Sequence, residues 1–437
     1  MQQKEFAKRR KQLMRMMGKG SIAILPAAVH LIRNRDVHYP YRQDSDFYYL
    51  TGFQEPEAIM VLLPGRKKGE YLLFNRKRDP EKEIWDGLRA GQKGAKEEYG
   101  ADESFPIEEA DERIAKLLNH CERVFYSMGS NPDMDKKMME WVNQIRAQSR
   151  AGQRAPEEFV SLEHFVHDMR LYKSPDELRD IKKAMAVSTK AHRRAMAWCK
   201  PGRMEYEMEA EILYEFNQAG CETAYTSIVG SGANGCILHY IENHSRLVDD
   251  TLLLIDAGAE FGCYAADITR TFPVNGKFTP AQKALYEIVL EAQSAAIAKV
   301  KPGNHWNDPH EAAVKVITKG LVSEGLLKGK VPQLIKDGAY RKFYMHRTGH
   351  WLGLDVHDVG DYKVGDQWRV LEPGMLLTVE PGLYIPADSA NVHKKWWNIG
   401  IRIEDDVLVT KTGNEVLTAA APKTVAELEL LVGSAYR

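Results

Sequence analysis

Residues 251–274 read TLLLIDAGAEFGCYAADITRTFPV: two strand-like apolar runs on either side of a short turn, each carrying one aspartate, Asp256 and Asp267. A two-residue hairpin turning at Phe261-Gly262 predicts that the two carboxylates sit directly across from one another on one face of the ladder. Like charges in that relation destabilise a sheet. At about 4 Å and an effective dielectric near 20 the repulsion is roughly 4 kcal/mol, which a single substitution would relieve. A divalent cation held between the carboxylates turns the repulsion into affinity, so the hairpin predicts a metal site on an antiparallel sheet.

Three later segments also place charge inside apolar runs. They are MHRTGHWLGLDVHDVG (345–360) with His346, His350 and His357, LLTVEPGLYI (376–385) with Glu380, and IGIRIEDDVLV (399–409) with Glu404. In the last, a period of two sends Arg402, Glu404 and Asp406 to one face and Ile401 and Ile403 to the other, so Glu404 reaches the side that the hairpin carboxylates occupy. Glu380 closes a strand just ahead of Pro381-Gly382. Any one of these residues alone reads as a surface carboxylate or a strand-end salt bridge; the whole set does not. His346 and His350 stand four apart, but Arg347 replaces the glutamate of a HExxH zinc helix, and Gly349 and Gly353 disfavour a helix altogether. Four carboxylates with one imidazole form an oxygen-rich set that favours harder ions such as manganese over zinc, and four negative charges match two divalent cations.

The rest of the chain frames this site. Its 437 residues exceed what one hydrophobic core serves and predict two domains. Sixty basic against 61 acidic residues leave a net charge of -1 without a basic tract, so nothing electrostatic points to nucleic acid or an anionic membrane. Five cysteines without a CxxC pair argue against a disulfide framework and fit a reducing cytoplasm. The basic start, MQQKEFAKRRKQLMRMMGKG, reads as an amphipathic helix without the apolar stretch of a secretion signal, and no later segment reads as a membrane span. A soluble, cytoplasmic protein is expected. Apolar runs over 20–74 (SIAILPA, FYYLTGF, AIMVLLPG, YLLFN) and helical periodicity over 106–148 make residues 1–172 a smaller α/β domain. Residues 173–437 open on KSPDELRDIKKAMAVSTKAHRRAMAW, a long helix with Ser174 as N-cap, Pro175 at the first position and Glu177 closing a capping box. Helices over 206–219, 281–300 and 310–324 alternate with the hairpin and with strands near Leu376 and Ile403. The arrangement is α/β (α+β), with helices covering a largely antiparallel sheet.

In order and wording, with Asp256 and Asp267 in LLLIDAGAEFGCYAADITRTFPVNGKFT, His350 in GHWLGLDVHDVG, Glu380 in LTVEPGLYI and Glu404 in GIRIEDDVLV, the chain resembles the pita-bread metallopeptidases of family M24. Within them it resembles the bacterial aminopeptidase P group, and YPYRQDSDFYYLTGFQEPEA (39–58) is similar to that group's amino-terminal domain. The resemblance implies a curved antiparallel sheet covered by helices and hydrolysis of the bond between an N-terminal residue and a following proline. It implies two divalent ions, Mn2+ foremost, with Asp267 bridging them, Asp256 chelating one, His350 and Glu380 completing one coordination sphere, and Glu404 as the second bridge. It further implies that a bridging hydroxide attacks the carbonyl before proline, a chemistry known for aminopeptidases. Glu380 would shuttle a proton, His239 (in GCILHYIEN) and His357 would bind substrate or steady the tetrahedral intermediate, and His346 would line the same pocket. A partly buried histidine held by hydrogen bonds is the competing reading of His239.

An X-Pro amide has no N–H, so the slot for the ring makes no demand for one; Tyr225, Tyr384 and Arg402 are its candidates. Trp85, in EIWDG, and Arg150 are implied contributors to the cleft, Trp85 from a neighbouring subunit. A core or interface tryptophan is the plainer reading, and Arg154 competes with Arg150 for the same role. The implied partners are peptides with proline in the second position and further copies of the chain in a tetramer or dimer. The segments HRTGH and SANVHKKWWNIG depart from the group's pattern, so the preference at the residue before proline is expected to be this chain's own. A prolidase, restricted to dipeptides, shares the ligands, and a non-catalytic peptide-binding module shares the fold. The first-domain wording disfavours the former and the intact ligands disfavour the latter.

Overall fold

The computed structural model describes residues 1–436 and divides into two units, Met1–Met169 and Arg170–Arg437. The division lies between Met169 and Arg170, and Arg170 ion-pairs with Asp355 and the buried Asp358 of its own unit. No helix among the described residues is long and apolar enough to cross a membrane.

In the first unit the apolar runs form strands whose consecutive side chains are buried, as expected of strands covered on both faces. Ser21–Pro26, Ile59–Leu62 and Tyr71–Asn75 make the middle of a six-stranded mixed sheet, flanked by Glu103–Pro106 on one side and by Arg123–Phe125 and Glu158–Val160 on the other. Ile22, Val61 and Phe74 pack with Ile114, Leu118, Met138 and Trp141 from helices Ala110–Leu118 and Pro132–Ala147. The FYYLT run is a helix, Ser45–Thr51, because Asp44 accepts from the Phe47 amide at 2.8 Å and Gly52 ends it in the left-handed region.

In the second unit the Ser174 hydroxyl accepts from the Glu177 amide and Glu177 accepts from the Ser174 amide, starting helix Pro175–Trp198 where the sequence predicts it. Helices Glu205–Gln218, Pro280–Ile297 and Asp308–Ser323 lie close to their expected bounds. The strand pairs that carry the site are antiparallel. Leu252–Asp256 pairs with Ile228–Ser231 and Thr269–Pro273, Leu376–Val379 with Asp405–Val409, and Gly382–Ile385 with Ile399–Arg402. Phe216, Leu253, Phe272, Tyr286, Ile317 and Val379 share one core with the helices.

The hairpin turns later than expected. Phe261 pairs with Tyr264, so the turn is Gly262-Cys263 and Asp256 faces Thr269, not Asp267. Both turn residues take positive φ, 58° and 66°, as the twist of a two-residue hairpin demands, and this leaves Phe261 to pack on the core. Asp267, two residues before Thr269, stands diagonal to Asp256 on the same side of the ladder.

Candidate metal centre and active site

Backbone pairing delivers each candidate side chain. Residues 348–352 run beside strand Leu376–Val379: the Thr378 amide donates to the His350 carbonyl at 3.0 Å and the Glu380 amide to the Thr348 carbonyl at 2.8 Å, which sets His350 and Glu380 side by side. Gly349 permits the approach, because a Cβ there would collide with the Thr378 carbonyl oxygen. Glu404 enters at a break. The strand expected through 399–409 changes partner after Arg402, and the Glu404 amide donates to the Thr269 carbonyl at 3.1 Å. Fully buried Arg270 holds the break open by donating to the carbonyls of Glu404, Ala421 and Pro422 and to Asp405. Under the hairpin, the long helix supplies Ser188, which accepts from the Ala259 amide, and His192, which donates to the Ala257 carbonyl at 3.0 Å.

The placements converge. Asp256, Asp267, His350, Glu380 and Glu404 line one pocket of about 310 Å³, together with His239, His346, His357 and Arg402. Asp267, His350 and Glu404 each offer a ligand atom within 4.8 Å of the others. His350 Nδ1 donates to the Trp351 carbonyl at 2.9 Å, which turns Nε2 inward, 3.3 Å from Asp267 and 3.8 Å from Glu380. The Tyr225 hydroxyl lies 2.6 Å from Asp256 Oδ1 and 2.5 Å from Asp267 Oδ1. Arg402 donates to Asp256 at 2.6 Å and to the Thr269 hydroxyl at 3.0 Å, and that hydroxyl donates on to Glu404 at 2.6 Å.

One guanidinium does not neutralise four carboxylates. Burial and then the neighbouring Asp256 raise Asp267, burial and then Asp267 raise Glu404 well above the ordinary range, and burial lifts Glu380 to about 7. Burial works against a charged His350, yet Asp267 and Glu380 prevail and raise it to about 9. Without ions the cluster keeps protons where it would otherwise keep cations. Its oxygen-rich donors with one imidazole therefore fit divalent metal.

Around the ligands, Tyr225 and Tyr384 are not among the residues that line the pocket, and their hydroxyls bond buried polar and charged groups of the site. Tyr384 accepts from Arg402 at 3.0 Å and donates to His346 Nε2 at 2.8 Å, while His346 Nδ1 donates to the Arg347 carbonyl at 2.7 Å. Burial and then Arg402 push His346 down to about 4, a neutral imidazole. His357 meets the His350 ring edge-on at 4.2 Å, and burial followed by His350 lowers its pKa. His239 is exposed and lines the pocket, so the reading of it as a partly buried structural histidine does not hold.

Leu238 and Tyr362 supply apolar lining that sequence reasoning missed, since both look like ordinary core positions. It also missed Glu205, which reads as a first-turn helix acid. Glu205 is fully buried and accepts from the Ser231 amide and hydroxyl, Asn234, the Tyr240 hydroxyl and the Ser245 amide at 2.8–3.0 Å, tying down the segment that carries Leu238 and His239. Trp85, 87% exposed on helix Pro80–Asp86, and Arg150, exposed in the turn Ser149–Ala151, belong to the first unit.

Comparison with known proteins agrees with this geometry. Residues 179–411 match Metallopeptidase family M24, and residues 6–126 match the Aminopeptidase P, N-terminal domain. The chain is 46% identical over 435 residues to the Xaa-Pro aminopeptidase of Escherichia coli (strain K12), covering 99% of this chain and 98% of that one. Among solved structures it is similar to the Pseudomonas aeruginosa aminopeptidase PepP, with a TM-score of 0.99 and 58% identity over 100% of this chain and 99% of that one. Zinc-substituted E. coli aminopeptidase P in complex with product gives 0.97 and 46% over 100% and 99%.

Proposed function

The chain belongs to metallopeptidase family M24 and carries the aminopeptidase P amino-terminal domain, and from that membership we infer that it is an Xaa-Pro aminopeptidase. It is a hydrolase that releases an N-terminal residue when proline follows, and its substrates are peptides with proline in the second position. The observation that carries this reading is the convergence of four carboxylates and an imidazole on one pocket, in a chain similar over its whole length to such an enzyme.

As an M24 metallopeptidase the protein binds divalent metal ions. Two ions, Mn2+ by preference, are the finer proposal, supported by the oxygen-rich donors and the four negative charges. Such ions, when bound, lower the pKa of water and polarise a carbonyl. Asp256, Asp267, His350, Glu380 and Glu404 hold them in this proposal. Glu380, lining the pocket with a carboxylate oxygen 3.8 Å from His350, is placed to take a proton during attack and return it to the leaving nitrogen. His239 and His357 donate to the carbonyl oxygen as its charge develops, with His346 beside them. The proline ring meets Leu238 and Tyr362, while Tyr225, Tyr384 and Arg402 fix the carboxylates and imidazole that surround it.

Assembly into a tetramer or dimer is supported by Ile84, Trp85 and Leu88, exposed at 81%, 87% and 82% in and just after one short helix; Trp85 and Arg150 then contribute to a cleft, Trp85 to that of a neighbouring copy. A reducing cytoplasm is supported by the cysteine usage. The test is to strip metal with a chelator and restore Mn2+, Co2+ or Zn2+ separately. Cleavage of Ala-Pro-Ala should vanish and return, most fully with Mn2+. Activity indifferent to chelation overturns the metal role, and hydrolysis confined to the dipeptide Ala-Pro reassigns the protein as a prolidase.

A further inference from the structure

The pocket is rich in acid, yet one exposed residue of its lining is a cation that pairs with no carboxylate among the described residues. Arg347 lines the pocket, and its guanidinium is anchored by two uncharged groups: it stands 5.1 Å from the centre of the Trp368 ring, and Nη2 donates to the Asn307 side-chain oxygen. Asn307 in turn donates to Glu311 at 2.6 Å, so the acid on that side is engaged by an amide. Among the described residues no carboxylate ion-pairs with Arg347. A second exposed cation, Lys363, stands 4.6 Å from the centre of the same Trp368 ring. A guanidinium held by stacking and one hydrogen bond is preorganised and still presents most of its N–H fork, which suits a planar carboxylate.

We propose that Arg347, with Lys363 beside it, forms a carboxylate-binding subsite that reads a negative charge on the peptide beyond the proline. The reaction sets the direction. The bond cut is the first of the peptide, so the N-terminal residue lies at the carboxylate cluster with its α-ammonium group repelled by Arg347, and the part of the peptide that meets the arginine is the part downstream. The carboxylate comes either from the free terminus of a tripeptide or from an acidic side chain at the third position. Any peptide ending or continuing in that way is bound more tightly than one that is neutral there. The inference rests on the aminopeptidase reading above.

Steady-state kinetics of the metal-loaded wild type, Arg347→Gln and Arg347→Lys on Ala-Pro-Ala-amide, Ala-Pro-Ala and Ala-Pro-Glu-amide test it. Glutamine keeps polar reach and loses the charge. Arg347→Gln should raise KM roughly fivefold for a carboxylate-bearing peptide, as expected for an exposed ion pair, and leave kcat and the neutral amide peptide within about twofold. Arg347→Lys should restore most of the loss, and the difference should shrink as ionic strength rises from about 0.05 M to about 0.5 M. A response of Ala-Pro-Ala alone assigns the terminal carboxylate, and a response of Ala-Pro-Glu-amide alone assigns the side chain. Equal loss on all three peptides, or no change on any, overturns the subsite. A wild type silent toward all three peptides would instead defeat the aminopeptidase reading.

Discussion

Glu380 carries the proton-transfer chemistry in this proposal, and its side chain serves two purposes that substitution separates. Glu380→Gln keeps the shape and one ligating oxygen but cannot accept a proton, so turnover of Ala-Pro-Ala should fall about 10²- to 10⁴-fold while the thermal unfolding midpoint stays near that of the wild type. A variant that kept the wild-type rate would remove Glu380 from the proton path. Tyr225→Phe deletes the hydroxyl that reaches both Asp256 and Asp267 and leaves the ring in place. Titrating the stripped protein with Mn2+ should show about 10- to 100-fold weaker binding; unchanged affinity would mean that the hydroxyl does not orient the aspartates. The acidic and histidine candidates were legible in the sequence because an apolar run that is about to be buried rarely tolerates a charge unless an ion or an opposite charge meets it there. Tyr225 and Tyr384 were legible only as neighbours of the site, since nothing in the chain says whether a tyrosine uses its ring or its hydroxyl. Leu238 and Tyr362 gave no signal, because an apolar pocket wall and a core position have the same local pattern.

At the scale of the element, the segment after strand Ile228–Ser231 depends on one buried carboxylate. Glu205→Ala strips the acceptor from five donors at once and should lower stability by about 3–5 kcal/mol, read as a drop in the unfolding midpoint. Because that segment presents Leu238 and His239, KM should rise as well; a variant with wild-type stability and KM would show that the hydrogen bonds are idle. The helices were legible because their caps are local chemistry: Ser174, Pro175 and Glu177 fix where the long helix begins, whatever lies elsewhere. The hairpin register was not, because it turns on which two residues accept positive φ, and the flanking runs alternate equally well about Phe261-Gly262 or Gly262-Cys263. The partner change between Arg402 and Asp405 was hidden for a similar reason. Alternation continues through Ile403 and Glu404, and the break is set by Arg270, more than a hundred residues away in sequence, which donates to the Glu404 carbonyl.

Across the whole molecule, removing metal should change the way stability follows pH. Glu380 sits at about 7 in the metal-free site against an ordinary glutamate value of 4.5, and Asp267 and Glu404 are raised as well, by burial first and then by neighbouring carboxylates. A carboxyl raised on folding keeps in the native state a proton that the unfolded chain has released. Its stabilising contribution is whole below the ordinary value and is lost as pH rises through the folded one. His350, raised to about 9 with Asp267 and Glu380 overcoming burial, acts in the same direction and extends the loss above neutrality. Asp405 runs the other way: Arg270 and Lys423 overcome burial and depress it, so its contribution is present above the ordinary aspartate value of 3.8 and lost only as pH falls through its lower folded value. Between about pH 5 and about pH 7, then, the stripped protein should lose stability on the order of 2 kcal/mol from the shift of Glu380. Ions that take the place of those protons abolish the slope and release the protons on binding. Unfolding midpoints at the two pH values, with chelator and with Mn2+, measure both effects. A stripped protein whose stability held or rose over that window would mean that the five ligands do not crowd their charges together when the metal is gone.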